Sequence, residues 1–129
     1  MNYFVGHYEY KLGKNNLIKI PKVYHTDLDD NLVIVRSVDK NLCIYNESVY
    51  SKLNLDDSFI ISTPKKIDFN ADYQFSLEED DKEFLELDSY YVICGVADRL
   101  EIFSLENFKK LVGNINHTDI EDMFNSLSM

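Results

Sequence analysis

The stretch LVIVRSVDKNLCIYNESVYSKL, Leu32 to Leu53, returns as YVICGVADRLEIFSLENFKKL, Tyr91 to Leu111. Val33-Ile34 falls on Val92-Ile93 and Asp39 on Asp98. Leu42, Ile44 and Tyr45 fall on Leu100, Ile102 and Phe103, and Tyr50 and Leu53 on Phe108 and Leu111, with one residue lost in the turn after the aspartate. An internal repeat outranks other signals, because it dictates that the fold is built from two like units. Each unit reads as a β-rich run, an aspartate turn, a short strand and a closing helix. Asn46 is the expected N-cap ahead of Val49, Tyr50 and Leu53; Ser104 plays that part ahead of Leu105, Phe108 and Leu111, and Gly113 supplies the stop.

Upstream of the first unit lies YEYKLGKNNLIKIPKVY, Tyr8 to Tyr24. Tyr8, Tyr10 and Leu12 alternate with polar residues, GKNN is a turn whose glycine and asparagines tolerate positive φ, and Ile18 and Ile20 mark a return strand. This pattern predicts a β-hairpin. Its echo is YQFSLEEDDKEFLE, Tyr73 to Glu86, with Tyr8 on Tyr73, Tyr10 on Phe75, Leu12 on Leu77 and Ile20 on Leu85, a separation of 65 residues (73 − 8). In that register a basic turn, Lys14-Asn15-Asn16, faces an acidic counterpart, Glu79-Asp80-Asp81. An isolated hairpin is marginal, so the two are expected to pack on each other.

Pro21 opens a helical turn that places Tyr24 and Leu28 in the core, a turn expected to be missing or reduced in the second copy. FIIST reads as a strand or a short helix, ended by Pro64. After Gly113, Thr118 and Glu121 have capping-box spacing, and Ile120, Met123, Phe124 and Leu127 form a stripe for core or oligomer packing. The expected organisation is a first repeat over 1–55, a linker over 56–70, a second repeat over 71–113 and a C-terminal helix over 114–129, all in one interlocked domain.

The chemistry of enzymes is not written here. His7, His25 and His117 are scattered, without His-x-x-His or Cys-x-x-Cys spacing, and four glycines form no phosphate loop. No catalytic residue, metal or cofactor is expected. The run EEDDKE reads as a solvated, repulsive turn rather than a cation site, since hard cations need converging oxygens. Two cysteines fit a reducing compartment, with Cys43 expected on an outward face and Cys94 inward and inert. No apolar run approaches a membrane span and the first residues lack the features of a signal peptide, so the cytoplasm is the expected compartment.

A net charge of −10 argues against a general nucleic-acid binder. The charge is uneven, however. Residues 1–65 hold eight basic and eight acidic side chains, while residues 66–129 hold five basic and fifteen acidic ones. Within 7–22, Lys11, Lys14, Lys19 and Lys22 stand against Glu9 alone, a small basic island on an acidic protein.

Hairpin, Ile-Pro with a short helix, strand, aspartate turn, strand and helix, given twice, resembles the MraZ family of bacterial transcriptional regulators, which have the AbrB-like swapped-hairpin fold. GHYEYKLGKNNLIKIP, LVIVRSVDKNLCIYNESVYSKL and VICGVADRLEIFSLENFKKL carry the resemblance, over about residues 4–55 and 71–113. It implies a mainly β (α+β) fold with short helices, whose two repeats interlock into a small β-barrel. It also implies a ring-shaped homo-oligomer, nucleoid association and binding to direct repeats in the promoter of a cell-division and cell-wall gene cluster. In that family the hairpin turn reads roughly Asp-x-Lys-Gly-Arg and faces DNA. Here Gly13, Asn15, Asn16 and Leu17 stand at the aspartate, lysine, glycine and arginine positions; in the second copy, Glu78, Asp81 and Lys82 stand at the aspartate, glycine and arginine positions, and Leu85-Glu86 at Ile-Pro.

Two readings of function follow. In the first, the chain is a regulator of double-stranded DNA: Lys11, Lys14, Lys19, Lys22 and Lys82 neutralise phosphates, while Asn15 and Asn16 reach base edges. In the second, it is an oligomeric protein-interaction module that has lost DNA binding, whose acidic half meets a basic protein partner or mimics nucleic-acid charge.

Overall fold

A computed structural model describes residues 6–53 and 59–113. Its strands are β1 (His7–Lys11), β2 (Leu17–Lys19), β3 (Leu32–Arg36), β4 (Leu42–Asn46), β5 (Lys65–Ile67), β6 (Gln74–Ser76), β7 (Tyr90–Val96) and β8 (Arg99–Ser104). Its helices are α1 (Glu47–Tyr50), α2 (Glu79–Leu85) and α3 (Leu105–Gly113), with short 3₁₀ turns at Lys14–Asn16 and Lys22–Asp27. The fold is mainly β with short helices, as the sequence predicts. Six strands form one antiparallel sheet in the order β1-β7-β8-β4-β3-β5, and β2 and β6 form a separate two-stranded ribbon. The sheet is open, with β1 and β5 at its edges, rather than closed into the expected barrel.

The two local strand pairs form where the repeat places them. β3 and β4 join at a tight turn in which Ser37 N–H donates to the Asn41 carbonyl at 3.0 Å and Lys40 takes a left-handed φ of 58°. β7 and β8 join at Ala97, φ 51°. The predicted first hairpin closes only at its turn, by a bridge between Gly13 and Leu17, and its strands do not pair with each other. β1 pairs with β7 of the second unit, and β2 pairs with β6 of the second unit, so the arms cross between units. A hairpin's own partner and its copy's partner present the same alternating pattern, and sequence periodicity does not distinguish them.

The ladders reveal a pseudo-twofold axis. In the ribbon Ile18 lies opposite Phe75, flanked by Leu17–Ser76 and Lys19–Gln74. In the sheet Cys43 lies opposite Glu101, flanked by Leu42–Ile102 and Ile44–Leu100. At the two edges, Ile67 against Leu32 matches Tyr10 against Tyr91. Hence β5, which lies in the stretch read as a linker, is the counterpart of β1, and β6 is the counterpart of β2.

This axis corrects the register of the first repeat element. Ile18 corresponds to Phe75, a separation of 57 residues (75 − 18), not the 65 read from the sequence. Ile20-Pro21 therefore corresponds to Leu77-Glu78. The Lys14–Asn16 turn corresponds to Ala71–Tyr73, and both end on a left-handed residue, Asn16 at φ 58° and Tyr73 at φ 57°. The acidic run is not a hairpin turn at all. It is the helix α2, the counterpart of the turn at Lys22–Asp27, and it is longer in the second copy rather than reduced.

One face of the sheet and the inner side of the ribbon enclose the main core. Ile18, Ile20, Ile44, Leu85, Ile93, Leu100 and Ile102 are fully buried there, each contributing roughly 1.5–3 kcal/mol of burial free energy. Tyr24 and Leu28 join this core as expected. The opposite face is covered by the helices: Val33, Val35, Cys43 and Tyr45 lie under Val49, Tyr50 and Leu53, and Val92, Cys94 and Phe103 under Leu105 and Phe108. Cys43 is thus buried rather than outward, because the face it shares with Cys94 is roofed by α1 and α3. Ser104 caps α3 through its Oγ, which accepts from Asn107 N–H at 3.1 Å. Asn46 does not cap α1 by its side chain; its amide bridges Asp29 N–H (2.8 Å) and the Asp27 carbonyl (2.9 Å) instead. The expected helix over 114–129, with its apolar stripe, lies outside the described residues.

Candidate nucleic-acid interface

The ribbon turns Ile18 and Phe75 inward, so Lys19 and Ser76, exposed, and Leu17 and Gln74, half-buried, belong to its other side. Lys19 N–H donates to the Tyr91 hydroxyl at 2.9 Å, which ties the ribbon to the sheet. The turn before β2 is closed by Gly13 and Leu17, whose backbones exchange hydrogen bonds of 3.1 and 3.4 Å. A Cβ at Gly13 would lie 3.1 Å from the Leu17 Cβ, tighter than side chains normally tolerate, so the aspartate of the family pattern does not fit here without a shift. Asn15 and Asn16 both adopt the left-handed conformation, which asparagine accepts more readily than most residues.

The two asparagines part company at their side chains. Asn15 is exposed, while Asn16 Nδ2 donates to Glu79 Oε1 at 2.7 Å and the Asn16 carbonyl accepts from Leu77 N–H at 2.9 Å. Asn16 therefore anchors the basic turn to the first turn of α2. The counterpart turn is built differently: Asn70 Oδ1 accepts from Asp72 N–H (2.9 Å) and Gln74 N–H (3.0 Å). It carries Ala71 and Asp72 where the first turn carries Lys14 and Asn15, so only one of the two dyad-related turns is cationic.

The structure sorts the cations into two sets. Arg36 Nε meets Asp81 Oδ1 at 2.9 Å, Lys65 Nζ meets Asp81 Oδ2 at 2.7 Å and Glu78 at 2.9 Å, and Lys40 meets Glu86 at 2.5 Å. Arg36 also lies over the Phe84 ring, and Arg99 pairs with Glu101 at 2.8 Å. Partial burial works against the Lys65 charge, but its bonds to Asp81 and Glu78 outweigh that and hold its pKa above the ordinary lysine value. Among the described residues, Lys11, Lys14, Lys19, Lys22 and Lys82 make no ion pair. The acidic helix thus neutralises structural cations from β3, β5 and the β3–β4 turn, not the basic island.

Of the residues singled out in the sequence, Lys14, Asn15, Asn16 and Lys19 are gathered on the ribbon and its turn, and Lys22 follows directly after Pro21. Lys11 ends β1, in the main sheet opposite Tyr90. Lys82 sits on α2, and the residue that the axis makes equivalent to Leu17 is Gln74. Sequence reasoning missed Gln74, Ser76 and His25. The signal was present: Ile18-Lys19-Ile20 matches Phe75-Ser76-Leu77 in alternation, and that match gives the 57-residue register (75 − 18).

The thiols offer no reactive centre. Burial, reinforced by the Glu101 carboxylate between them, pushes Cys43 and Cys94 up to about 12. Among the described residues, no group of three or more histidine, cysteine or acidic side chains is placed to hold a metal.

The chain is similar over most of its length to curated transcriptional regulators MraZ. That of Halothermothrix orenii is 26% identical over 115 residues, covering 78% of this chain and 80% of its own. That of Leuconostoc mesenteroides is 23% identical, covering 81% and 83%, and that of Clostridium tetani is 23% identical, covering 98% and 99%. No protein-family model matches the chain. The mainly β fold and the similarity of most of the chain to these regulators support a divergent relative of the MraZ family. These relatives are named for regulation, not for an enzyme activity. Among the described residues no helix is long and apolar enough to cross a membrane.

Proposed function

We propose that the chain is a DNA-binding transcriptional regulator that meets double-stranded DNA with the outer side of the ribbon. Lys14, Lys19 and Lys22 contact phosphates, and Asn15 at the turn tip reaches a base edge. The observation that carries this reading is the sorting of charge: Lys14, Lys19 and Lys22 are exposed and, among the described residues, make no ion pair, while Asp81 of α2 and the flanking Glu78 and Glu86 are paired with Arg36, Lys65 and Lys40. Following the MraZ pattern, the target is a set of promoter direct repeats before a cell-division and cell-wall gene cluster, bound by a ring of subunits in the cytoplasm.

Fluorescence anisotropy on a duplex from the chain's own upstream region tests it. Lys14→Glu with Lys19→Glu should abolish specific binding at moderate salt, and each lost phosphate contact should lower the salt slope by about 0.9. Unchanged binding by that variant refutes the interface. The absence of arginine at both family positions, occupied by Leu17 and Gln74, favours a second reading, an oligomeric module for a basic protein partner. That reading requires Glu79 and Asp80 to be essential and the ribbon lysines dispensable.

A further inference from the structure

The pseudo-twofold axis sets Tyr8 against Lys65, Tyr10 against Ile67 and Tyr24 against Asp81, each 57 residues apart (75 − 18 for the ribbon pair). In the first half these positions hold three phenol rings. The Tyr8 ring stands edge-on to that of Tyr24 with centroids 5.8 Å apart, and Tyr10 lies against Tyr91 at 5.7 Å. The Tyr24 hydroxyl donates to the Gly6 carbonyl at 3.2 Å. In the second half none of the three counterparts is aromatic, and Leu32 stands where the first half has Tyr91. The space is there a hollow of about 360 Å³ between β5, β6 and the first turn of α2. Its bed is Ile34, Ile67, Phe75 and Leu77, and its rim is Lys65, Glu78 and Asp81.

We infer that this hollow is a binding site for a small, neutral, single-ring phenolic ligand. The first half shows what the scaffold accepts at this place: phenol rings packed against Ile18, Ile20 and Ile93, the counterparts of Phe75, Leu77 and Ile34. The apolar bed suits a ring face, and the volume lies within the range of small-molecule sites, about 300–1,000 Å³. The rim supplies the polar partners. Lys65 Nζ directs two of its three hydrogens at Asp81 (2.7 Å) and Glu78 (2.9 Å), which leaves one to donate to a hydroxyl oxygen. Glu78, with 67% of its side chain exposed, keeps acceptor capacity for the ligand's own O–H. Charge on the ligand is opposed from both sides: Asp68, Glu78 and Asp81 repel an anion, and Lys65 and Lys66 repel a cation. A neutral ring leaves the ion pairs of Asp81 with Arg36 and Lys65 intact. The hollow lies on the inner side of the ribbon, at Phe75 and Leu77, so it stands or falls apart from the DNA-binding reading.

The probe is p-cresol, the tyrosine side chain as a free molecule. Titrated into the full isotope-labelled chain, it should shift the amide resonances of Ile67, Phe75 and Leu77 saturably, with a Kd of about 1 mM for a ligand of so few atoms. Nuclear Overhauser contacts from its ring to the methyl groups of Ile34, Ile67 and Leu77 locate it without any variant. Ile67→Tyr, which gives the second half the residue found at Tyr10, should fill the hollow and weaken p-cresol by about ten-fold or more while the chain stays folded. The anion 4-hydroxybenzoate and the cation tyramine should each bind at least about three-fold more weakly than p-cresol. Shifts that do not saturate, or ring contacts that fall elsewhere on the chain, overturn the site. So does a folded Ile67→Tyr that binds p-cresol as wild type does. Either charged probe binding as tightly as p-cresol overturns the neutral ligand class.

Discussion

Replacing Asp81 by Asn tests the account of the acidic helix. The carboxylate is almost wholly buried, its side chain 4% exposed, and meets Arg36 at 2.9 Å and Lys65 at 2.7 Å. At an effective dielectric near 20, two charges about 3 Å apart attract by roughly 5–6 kcal/mol before desolvation. Burial of the carboxylate cancels much of this, and the cations, 31% and 40% exposed, are partly screened by water. A net loss of about 2–3 kcal/mol is the expected result: asparagine keeps the volume, but leaves two cations without an anion. For a chain of this size about 3–5 °C of melting temperature follows each kcal/mol, so the midpoint should fall by about 8–12 °C. Thermal melts followed by circular dichroism, with urea unfolding for the free energy, give both numbers. Arg36→Met should cost at least 1 kcal/mol less in the Asp81→Asn background than alone, because the partners couple. A shift within about 0.5 kcal/mol, or strict additivity, would falsify the claim that the acidic run is a structural clamp.

The two buried thiols predict an alkaline limit. Raised from 9.0 to about 12, they stay protonated in the folded chain while the unfolded chain releases both protons near 9. Stability from this source is intact below pH 9 and falls between 9 and 12, by up to about 2.7 kcal/mol per pH unit; urea midpoints measured from pH 8 to 10 check the onset. Native Cys43 and Cys94 should also react with Ellman's reagent far more slowly than free cysteine at pH 8, and rapid labelling of both would contradict their burial. The crossed arms predict that neither residues 1–53 nor residues 59–129 fold alone; recovery of either as a cooperative folded unit would refute the interlock. The open sheet edges β1 and β5 and the family pattern predict an oligomer, and light scattering at micromolar concentration that returned only about the 15.1 kDa of one chain would count against it.

The repeated sheet unit was legible because two constraints coincide there. Val33-Ile34 and Val92-Ile93 are buried on both faces, and the turns after them differ by one residue, so the alignment has no slack. The crossing strands had less to hold them. Tyr8-x-Tyr10-x-Leu12 matches any alternating stretch, and a shift of eight residues keeps faces unchanged because the side-chain period is two. That slip made α2 look like a hairpin turn. It also hid the hollow, since Tyr8 and Tyr24 find Lys65 and Asp81 as counterparts only when Ile18 is set on Phe75. Charge was legible as composition but not as pairing: the sequence shows where the acids are, and only the fold shows that Arg36, Lys40 and Lys65 occupy them.

The asymmetry between the two turns supplies the sharpest test of where DNA lies. The axis equates Lys14 with Ala71 and Asn15 with Asp72, so the first turn carries a lysine where the second carries an acid beside Lys19 and Lys22. On the proposed reading, this chain grips DNA through one turn where a symmetric unit would use two. Ala71→Lys with Asp72→Asn copies the first turn onto the second. Both positions are exposed, and Asn70 caps the turn through backbone N–H groups, so the fold should accept the change. The change removes one negative charge and adds one positive charge on the DNA-facing side. Duplex affinity should rise by roughly ten-fold or more, and the salt slope should steepen by about one unit for the added phosphate contact. The same change of two charges made at exposed positions of α2, as Glu83→Gln with Asp80→Asn, should raise affinity only through the long-range field, and lose that gain at high salt. If the two variants prove indistinguishable in both affinity and slope, the ribbon has no special place in binding, and the outer side of β2 and β6 is not the DNA-facing surface.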